Sequence, residues 1–220
     1  MADVCVITGG GSGMGLAAAK YMPKEKILVL AGRTEAKLQR AIEELKAEGH
    51  EAYAKACDTS KRESVRALAE YAASLGEVKN VINSAGLSPN MAEAETILRV
   101  NALGTVYMNE EFSKVMKAGS VIVDVASNSA YVLPGFLISK KVYALADQDE
   151  RLFLQKMLKK CRMAKEGYAR NGMAYAFSKN FVVWYAKKGA FAYGEKGIRV
   201  VSMRPGLIAT GIGNLEKEEG

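Results

Sequence analysis

The chain has 220 residues, of which 49% are hydrophobic and 25% are charged, as in an ordinary soluble globular protein with one large core. Its net charge is +7, but residues 140–172 alone hold nine basic and four acidic residues, a net +5 of that total. Because no stacking-aromatic or recognition-helix pattern accompanies this charge, we expect no nucleic-acid partner.

The N-terminus leads directly into an apolar run, without a basic leader or a cleavage site. We therefore expect neither export nor membrane insertion, and a cytoplasmic protein. Three widely spaced cysteines (Cys5, Cys57 and Cys161) form neither a disulfide framework nor a metal pair, so we expect reduced, mostly buried thiols. His50, the single histidine, stands at a predicted helix end, where we expect a surface position. No metal site is predicted.

Apolar runs alternate with helical patterns along the chain, which predicts βα units and a parallel sheet. The predicted strands are Val4–Thr8, Ile27–Ala31, Ala52–Ala56, Val78–Asn83, Ser120–Val125 and Ile198–Met203. The predicted helices are Met14–Tyr21, Glu35–Glu48, Lys61–Leu75, Ile97–Lys117 and Ala174–Ala190. We therefore predict one α/β domain over residues 1–220, built as a doubly wound, Rossmann-type parallel sheet.

Residues 138–172 interrupt this alternation. The segment is too long for an ordinary connecting loop and is rich in helix formers, mainly between Ala144 and Lys165. We predict an inserted helix or helical pair that is basic on its solvent face. That face is either simply solvated or receives an acidic substrate.

The first predicted strand ends in a glycine-rich turn, Thr8-Gly9-Gly10-Gly11-Ser12-Gly13-Met14-Gly15-Leu16, and a helix follows. Glycines let the backbone approach a pyrophosphate closely, and a helix N-terminus offers free N–H groups with the positive end of the helix dipole. The place of the turn between a first strand and a first helix predicts a dinucleotide site. A tight turn without a ligand is the alternative.

The spacing Thr8-Gly9-x-x-x-Gly13-x-Gly15 resembles the cofactor turn of the short-chain dehydrogenases/reductases. With it, seven motif blocks follow that family's order between Val4 and Thr210. The resemblance implies a nicotinamide cofactor and assigns to it Thr8, Gly9, Ser12, Gly13, Met14, Gly15, Asp58, Asn83, Ala85, Gly86, Tyr175, Lys179, Pro205, Gly206, Ile208 and Thr210.

Three of these blocks carry specific roles by resemblance. Asp58, after the third strand, is expected to meet the adenine amino group. The turn Asn83-Ser84-Ala85-Gly86 is similar to the family's N-N-A-G, with Ser84 replacing the second Asn, and lines the ribose. In Pro205-Gly206-Leu-Ile208-Ala-Thr210, the Ile208 backbone and Thr210 are expected to meet the nicotinamide carboxamide.

The second predicted strand ends in Ala31-Gly32-Arg33-Thr34. An acidic residue here would bind the ribose 2′-hydroxyl and repel a 2′-phosphate. The Arg33 guanidinium can instead hold that phosphate by paired hydrogen bonds, so NADP(H) is predicted in preference to NAD(H). A surface arginine without a ligand is the competing interpretation.

Tyr175 and Lys179 stand four positions apart, on one face of the predicted helix that follows the fifth strand. A phenol titrates at about 10, and a nearby ammonium lowers its pKa, so the pair suits acid–base catalysis. By resemblance, Ser127 orients the substrate oxygen, with Ser129 as the alternative. Asn101 is expected to hold a water in the proton relay, with helix-interior capping as the alternative.

The resemblance therefore implies an oxidoreductase that transfers a hydride between NADP(H) and a carbonyl or secondary alcohol. The long interval from Ser127 to Tyr175 and the short one from Gly86 to Asn101 are similar to those of the bacterial 3α-hydroxysteroid dehydrogenase/carbonyl reductase subgroup. A hydroxysteroid or bile-acid dehydrogenase is one alternative, and a non-catalytic NADP-sensing binding module is another. We expect a small-molecule substrate, no membrane, and a homo-oligomer (dimer or tetramer).

Similar proteins continue well beyond the position that matches Thr210, through a helix that covers the substrate and a final edge strand. We expect either a shortened member of the family or a sequence that lacks a tail.

Overall fold

Six parallel strands form one sheet in the order β3-β2-β1-β4-β5-β6. The strands are β1 (Asp3–Thr8), β2 (Ile27–Gly32), β3 (Glu51–Ala56), β4 (Glu77–Asn83), β5 (Val121–Val125) and β6 (Arg199–Met203). Each agrees with its predicted bounds to within one residue at either end. The computed structural model describes residues 1–208, so Thr210 lies outside the described residues.

Eight α-helices connect these strands within the described chain. They are α1 (Gly13–Lys20), α2 (Glu35–Ala47), α3 (Arg62–Leu75), α4 (Ala94–Leu98), α5 (Gly104–Val115), α6 (Lys140–Tyr143), α7 (Glu150–Cys161) and α8 (Tyr168–Gly194). One core cluster joins α2 to alternate residues of β1 and β2, and a larger cluster joins the opposite face of the sheet to α3, α5, α7 and α8. The predicted doubly wound α/β fold is confirmed. Strand order reverses between β1 and β4, which is where such sheets open a ligand crevice.

The predicted single helix Ile97–Lys117 is wrong in detail, because a π-helical turn divides it. Helix α4 passes into this turn, Arg99–Leu103, before α5 begins. The Thr105 hydroxyl donates a 2.8 Å hydrogen bond to the Asn101 carbonyl at the turn. Such π-helical turns frequently occur at functional sites.

The insertion is helical as predicted, but its parts differ from those expected. The stretch of helix formers from Ala144 to Lys165 is not one continuous helix, since the Asp149 carboxylate accepts a 2.9 Å hydrogen bond from Leu152 N and starts α7 there. Helix α8 begins at Tyr168, earlier than predicted. The basic solvent face of α7 is confirmed by its exposed side chains, which include Arg151, Lys156, Lys159 and, just past its end, Arg162.

Aromatic packing fixes the insertion against α8. The Phe181 ring lies 5.3 Å from the Tyr143 ring and 5.2 Å from the Phe153 ring, centre to centre. On α8 itself, Phe181 stacks on Tyr185, whose hydroxyl donates a 2.9 Å hydrogen bond to Asp147. The insertion is therefore part of the main core rather than a loosely attached arm.

The single histidine contradicts its predicted surface position. Only 3% of His50 is exposed, and its Nε2 lies 3.3 Å from the Lys20 carbonyl oxygen, because the turn between α2 and β3 directs the ring inward beneath α1. The three cysteines are free and buried, as predicted. In residues 1–208, no helix is long and apolar enough to cross a membrane, and no His, Cys, Asp or Glu cluster is arranged to hold a metal.

Candidate active site

A cleft of about 590 Å³ opens at the carboxyl edge of the sheet, beside the reversal in strand order. Most of the residues predicted from the sequence line it. These are Gly9, Ser12, Gly13, Met14, Gly15, Arg33, Asp58, Ala85, Gly86, Ser127, Tyr175, Lys179, Pro205, Gly206 and Ile208. The fold therefore brings segments from the whole length of the chain to one surface.

The glycine-rich turn between β1 and α1 forms one wall of the cleft. Gly9 and Gly13 have φ values of +66° and +54°, which side chains disfavour. A Cβ on Gly15 would lie 2.5 Å from the Gly9 carbonyl oxygen and 2.7 Å from Ser84 Oγ. No side chain fits at Gly15, so the start of α1 and its free N–H groups stand directly against the turn.

The end of the cleft beside β2 carries positive charge. Arg33 is exposed there, and Lys37, in the first turn of α2, lines the same space. The sequence interpretation did not assign Lys37. The available signal was its position in the first turn of the helix that follows Arg33. Across this end, burial opposes ionisation of Asp58, but hydrogen bonds from Ser60 and the positive charges of Lys61 and Arg33 together outweigh it and lower the pKa of that carboxyl.

Three predicted residues lie behind the cleft surface rather than on it. The Thr8 hydroxyl accepts a 3.1 Å hydrogen bond from Ala85 N and donates one of 3.0 Å to Asn83 Oδ1. Asn83 Nδ2 in turn donates to Asp124 Oδ1 at 3.0 Å. Thr8 and Asn83 thus hold the turns after β1 and β4 in register, and Asn101 is also removed from the cleft wall.

Asn101 ties three elements together. Its Oδ1 accepts a 2.8 Å hydrogen bond from Leu87 N, and its Nδ2 donates to Leu87 O at 3.0 Å. The same Nδ2 donates to Ser178 Oγ at 3.1 Å, and Ser178 Oγ donates to the Tyr175 carbonyl at 2.7 Å. Ser178 was not singled out from the sequence, although it stands between Tyr175 and Lys179 in the motif.

Tyr175 and Lys179 share one face of α8, and the Lys179 ammonium nitrogen lies 5.7 Å from the centre of the Tyr175 ring. Lys179 is buried, and its Nζ donates a 2.9 Å hydrogen bond to the Val125 carbonyl at the end of β5. A Cβ on Gly86 would lie 3.4 Å from Lys179 Nζ and 3.3 Å from Asn101 Oδ1. A side chain at Gly86 would therefore press on both groups.

Of the two candidate serines after β5, Ser127 lines the cleft, whereas Ser129 is not among its lining residues. The Ser127 hydroxyl accepts a 3.1 Å hydrogen bond from Ser129 N and donates to Asn128 Oδ1 at 3.2 Å. The Ser129 hydroxyl is buried. The geometry favours Ser127 over Ser129 as the group that contacts a ligand.

The segment after β6 closes the remaining side of the cleft. Asn128 N donates a 3.0 Å hydrogen bond to the Pro205 carbonyl, and Ala126 N donates one of 2.7 Å to the Met203 carbonyl. Gly206 and Ile208 follow on the cleft surface. Further lining residues that the sequence interpretation did not assign include Thr34, Leu87, Ser88, Met91, Val100 and Leu207.

Comparison with known protein families shows the family to which this chain belongs. Residues 3–140 match the family model described as short chain dehydrogenase. The chain belongs to the short-chain dehydrogenase/reductase family. It is therefore an oxidoreductase of a family that uses a nicotinamide cofactor.

Individual similar proteins support the same family assignment. A short-chain dehydrogenase/reductase, bsc3, from Alternaria brassicicola is 30% identical over 218 residues, which cover 99% of this chain and 78% of that protein. The 7alpha-hydroxysteroid dehydrogenase of Escherichia coli K12 is 25% identical over 93% of this chain and 71% of its own length. The crystal structure of a variant of actinorhodin polyketide ketoreductase with NADPH superposes with a TM-score of 0.73. It is 22% identical to this chain, and the match covers 99% of this chain and 75% of that one.

Proposed function

We propose that this short-chain dehydrogenase/reductase transfers a hydride between NADP(H) and a carbonyl or secondary alcohol, with Tyr175, Lys179, Ser127 and Asn101 as its catalytic set. One observation carries the proposal. Tyr175, Lys179 and Ser127 line the same cleft as the glycine-rich turn, at the end opposite Arg33 and Asp58. A bound dinucleotide would thus have a phosphate-binding turn at its middle and acid–base groups at its reactive end.

The residues present fit that cofactor. The glycine-rich turn lines the cleft from Gly9 to Gly15, where its backbone N–H groups could bind a pyrophosphate, and the cleft beyond it offers Asp58 to the adenosine portion. Arg33 and Lys37 stand where a 2′-phosphate would reach, and both are exposed cations. Two cations at one point favour the phosphorylated cofactor, since each can form charge-assisted hydrogen bonds to it.

The cofactor, when bound, supplies or accepts the hydride at its nicotinamide ring. The protein's part is to hold the substrate oxygen and to move one proton. In the reducing direction, Ser127 Oγ donates a hydrogen bond to the substrate oxygen, and Tyr175 OH gives that oxygen its proton. The positive charge of Lys179 favours the resulting phenolate, and Asn101, linked to α8 through Ser178, fixes the geometry of the proton path.

The cleft also has an apolar lining. Leu87, Met91, Val100 and Leu207 belong to it, and this lining suits an alicyclic or aromatic carbonyl compound. A hydroxysteroid is the second candidate substrate class. Its support is the similarity to the E. coli 7alpha-hydroxysteroid dehydrogenase together with this apolar wall.

The cofactor assignment is tested by titrating the protein with NADPH and with NADH and following nicotinamide fluorescence. We expect tighter binding of NADPH, and a loss of about ten- to a hundredfold in NADPH affinity on Arg33→Ala with NADH affinity unchanged. Arg40→Ala is the matched control, because Arg40 is an exposed cation of α2 outside the cleft. Equal losses for both variants, or a preference for NADH, would contradict the assignment of Arg33.

The catalytic assignment is tested with Tyr175→Phe, assayed on cyclohexanone and on a steroid panel. We expect kcat to fall by about 10²- to 10⁴-fold while cofactor binding is kept. Tyr168→Phe removes a hydroxyl from the exposed first residue of the same helix and serves as the control. Unchanged activity of Tyr175→Phe would overturn the mechanism. Cofactor binding without turnover of any substrate by the parent protein would favour a sensing module.

Location and assembly stay predictions. The three free, buried thiols fit a reducing compartment, and we propose a cytoplasmic protein. The expected homo-oligomer is to be tested by light scattering of the purified chain. Within residues 1–208 the insertion helix α7 packs against α4 and α8, so an assembly through α8 would have to accommodate it.

A further inference from the structure

Asp124 is a fully buried carboxylate on β5, in the half of the molecule that is formed by β4, β5, β6, α5, α7 and α8, which we call the catalytic half. Its Oδ1 accepts hydrogen bonds from Asn83 Nδ2 at 3.0 Å and from Asn109 Nδ2 at 3.1 Å. Its Oδ2 accepts a third from Asn109 Nδ2 at 2.9 Å. These donors are neutral, so they orient the carboxylate without cancelling its charge.

Lys179 carries the positive charge that offsets the negative charge of the Asp124 carboxylate. Lys179 is 6% exposed, and its Nζ donates to the carbonyl of Val125, the residue that follows Asp124 on β5. Across the elements packed around Asp124, the groups that face it are Asn83 on β4, Asn109 on α5, Ser202 in register on β6, and Lys179 on α8. Among residues 1–208, Lys179 is the charged side chain whose positive charge lowers the pKa of the Asp124 carboxyl.

We propose that Asp124 is a positioning residue: as the buried counter-charge of Lys179, it holds Tyr175 in its phenol form and adapts the site to proton donation, that is, to carbonyl reduction. The physical reason is that a phenolate at Tyr175 and a carboxylate at Asp124 compete for the same ammonium. A negative charge already beside Lys179 makes a second one at Tyr175 less favourable.

Burial gives this arrangement a pH dependence. Desolvation raises the pKa of Asp124 to about 6, although the hydrogen bonds from Asn83 and Asn109 and the charge of Lys179 oppose the shift. Above that pH the carboxylate is ionised and Tyr175 is held as the proton donor. Below it, Asp124 becomes neutral and the restraint on the phenolate is removed.

The test follows Tyr175 directly and needs no substrate. Subtracting the near-ultraviolet tyrosinate titration of Tyr175→Phe from that of the parent isolates Tyr175 among the ten tyrosines. The same subtraction is made for Asp124→Asn and Asp124→Asn/Tyr175→Phe. We expect the midpoint of the Tyr175 titration to fall by about one pH unit when Asp124 is neutral, the size expected for two charges roughly 10 Å apart at an effective dielectric of about 20.

Glu111→Gln is the matched control. Glu111 is also a buried carboxylate of this half, on α5, but its ion-pair partners are Arg62, Arg66 and Lys114. Its neutralisation should leave the Tyr175 midpoint unchanged. Asp124→Ser, neutral and smaller, is the second variant and should reproduce the shift, which guards against a fold effect peculiar to the asparagine.

This inference rests on the proposed function, but the two fail separately. A Tyr175 midpoint that is unchanged or raised in folded Asp124→Asn and Asp124→Ser overturns the role of Asp124, whatever the activity of Tyr175→Phe. Full activity of Tyr175→Phe overturns the proposed mechanism, whatever the Tyr175 midpoint does. A lowered midpoint in both Asp124 variants but not in Glu111→Gln supports the inference.

Discussion

The proposed phosphate-binding end and the proposed catalytic end of the cleft are built in different ways. The phosphate-binding end is made mainly of backbone: Gly9 and Gly13 adopt positive φ, and Gly15 leaves no space for a side chain. The proposed catalytic end is made of side chains from several elements. Asn101 donates a hydrogen bond to Ser178 of α8, which in turn donates to the Tyr175 carbonyl of the same helix. Lys179, also on α8, donates to the Val125 carbonyl at the end of β5. Damage to the first end should be local and steric, whereas damage to the second should spread through packing and charge.

Removing the aromatic anchor of the catalytic half should have the greatest effect. Phe181→Ala should lower the free energy of unfolding by about 3–5 kcal/mol, since the buried ring packs on Tyr143, Phe153 and Tyr185. Denaturant unfolding measures the change. Phe191→Ala on the same helix removes a ring that is 87% exposed, and it should be nearly neutral. Equal costs would show that the insertion is not held by this cluster.

A substitution at the proposed phosphate-binding end should have a smaller effect, and we expect it in cofactor binding. Gly15→Ala places a methyl group 2.5 Å from the Gly9 carbonyl, so the turn must open, and we expect cofactor affinity to fall about 100-fold. Gly172→Ala is the control, since its Cβ meets nothing within 4 Å inside α8. It should raise stability by about 0.5–1 kcal/mol. Fluorescence titration and thermal unfolding measure the two outcomes, and unaltered binding by Gly15→Ala would show that the turn does not hold the cofactor.

The buried carboxylate should give a pH-dependent stability difference. The pKa of Asp124 is about 6 in the fold against 3.8 as its ordinary value, so the favourable contribution of its protonated form is complete below about 3.8 and is lost as pH rises through about 6. From about pH 4 to about pH 7 the parent should lose roughly 2 kcal/mol of stability relative to Asp124→Asn. Denaturant curves at several pH values measure the difference. Parallel pH profiles for the two proteins would contradict it.

The link between Asn101 and α8 should have the mildest effect. Ser178→Ala removes the hydroxyl that joins Asn101 Nδ2 to the Tyr175 carbonyl, and we expect kcat to fall about tenfold, with cofactor affinity kept. Steady-state kinetics on the best ketone from the panel measures it. A loss of cofactor binding instead would place Ser178 with the phosphate-binding end.

Local sequence patterns were sufficient to predict much of the fold. All six strands were predicted to within one residue at either end, and β1 and β2 are the continuous apolar runs that mark strands covered by helices on both sides. The glycine turn could be predicted because its spacing and its place after β1 report a backbone requirement. Ser127 was preferred to Ser129 by resemblance alone, and only the structure shows which of the two residues lines the cleft, since two positions along a loop do not.

Features that depend on distant contacts were missed. The break at Arg99–Leu103 accompanies the bonds between Asn101 and Leu87, which sequence spacing does not reveal. His50 turned inward because the end of α2 lies beneath α1, although its flanking glycine suggested a surface turn. Lys37 could have been found from the sequence, because it stands four positions after Arg33. The environment of Asp124 could not have been predicted, because its partners come from β4, α5 and α8.

The family, the succession of strands and helices, and the residue types of the proposed catalytic set could all be inferred from the amino-acid order, because each depends on neighbours within a few positions. Packing of distant segments was needed to place Thr8, Asn83 and Asn101 behind the cleft wall, to seat the insertion on α8, and to bring Asp124 towards Lys179. Burial, and with it the free energy of a charge, depends on atoms far apart in the chain, so it becomes defined only when the elements pack together.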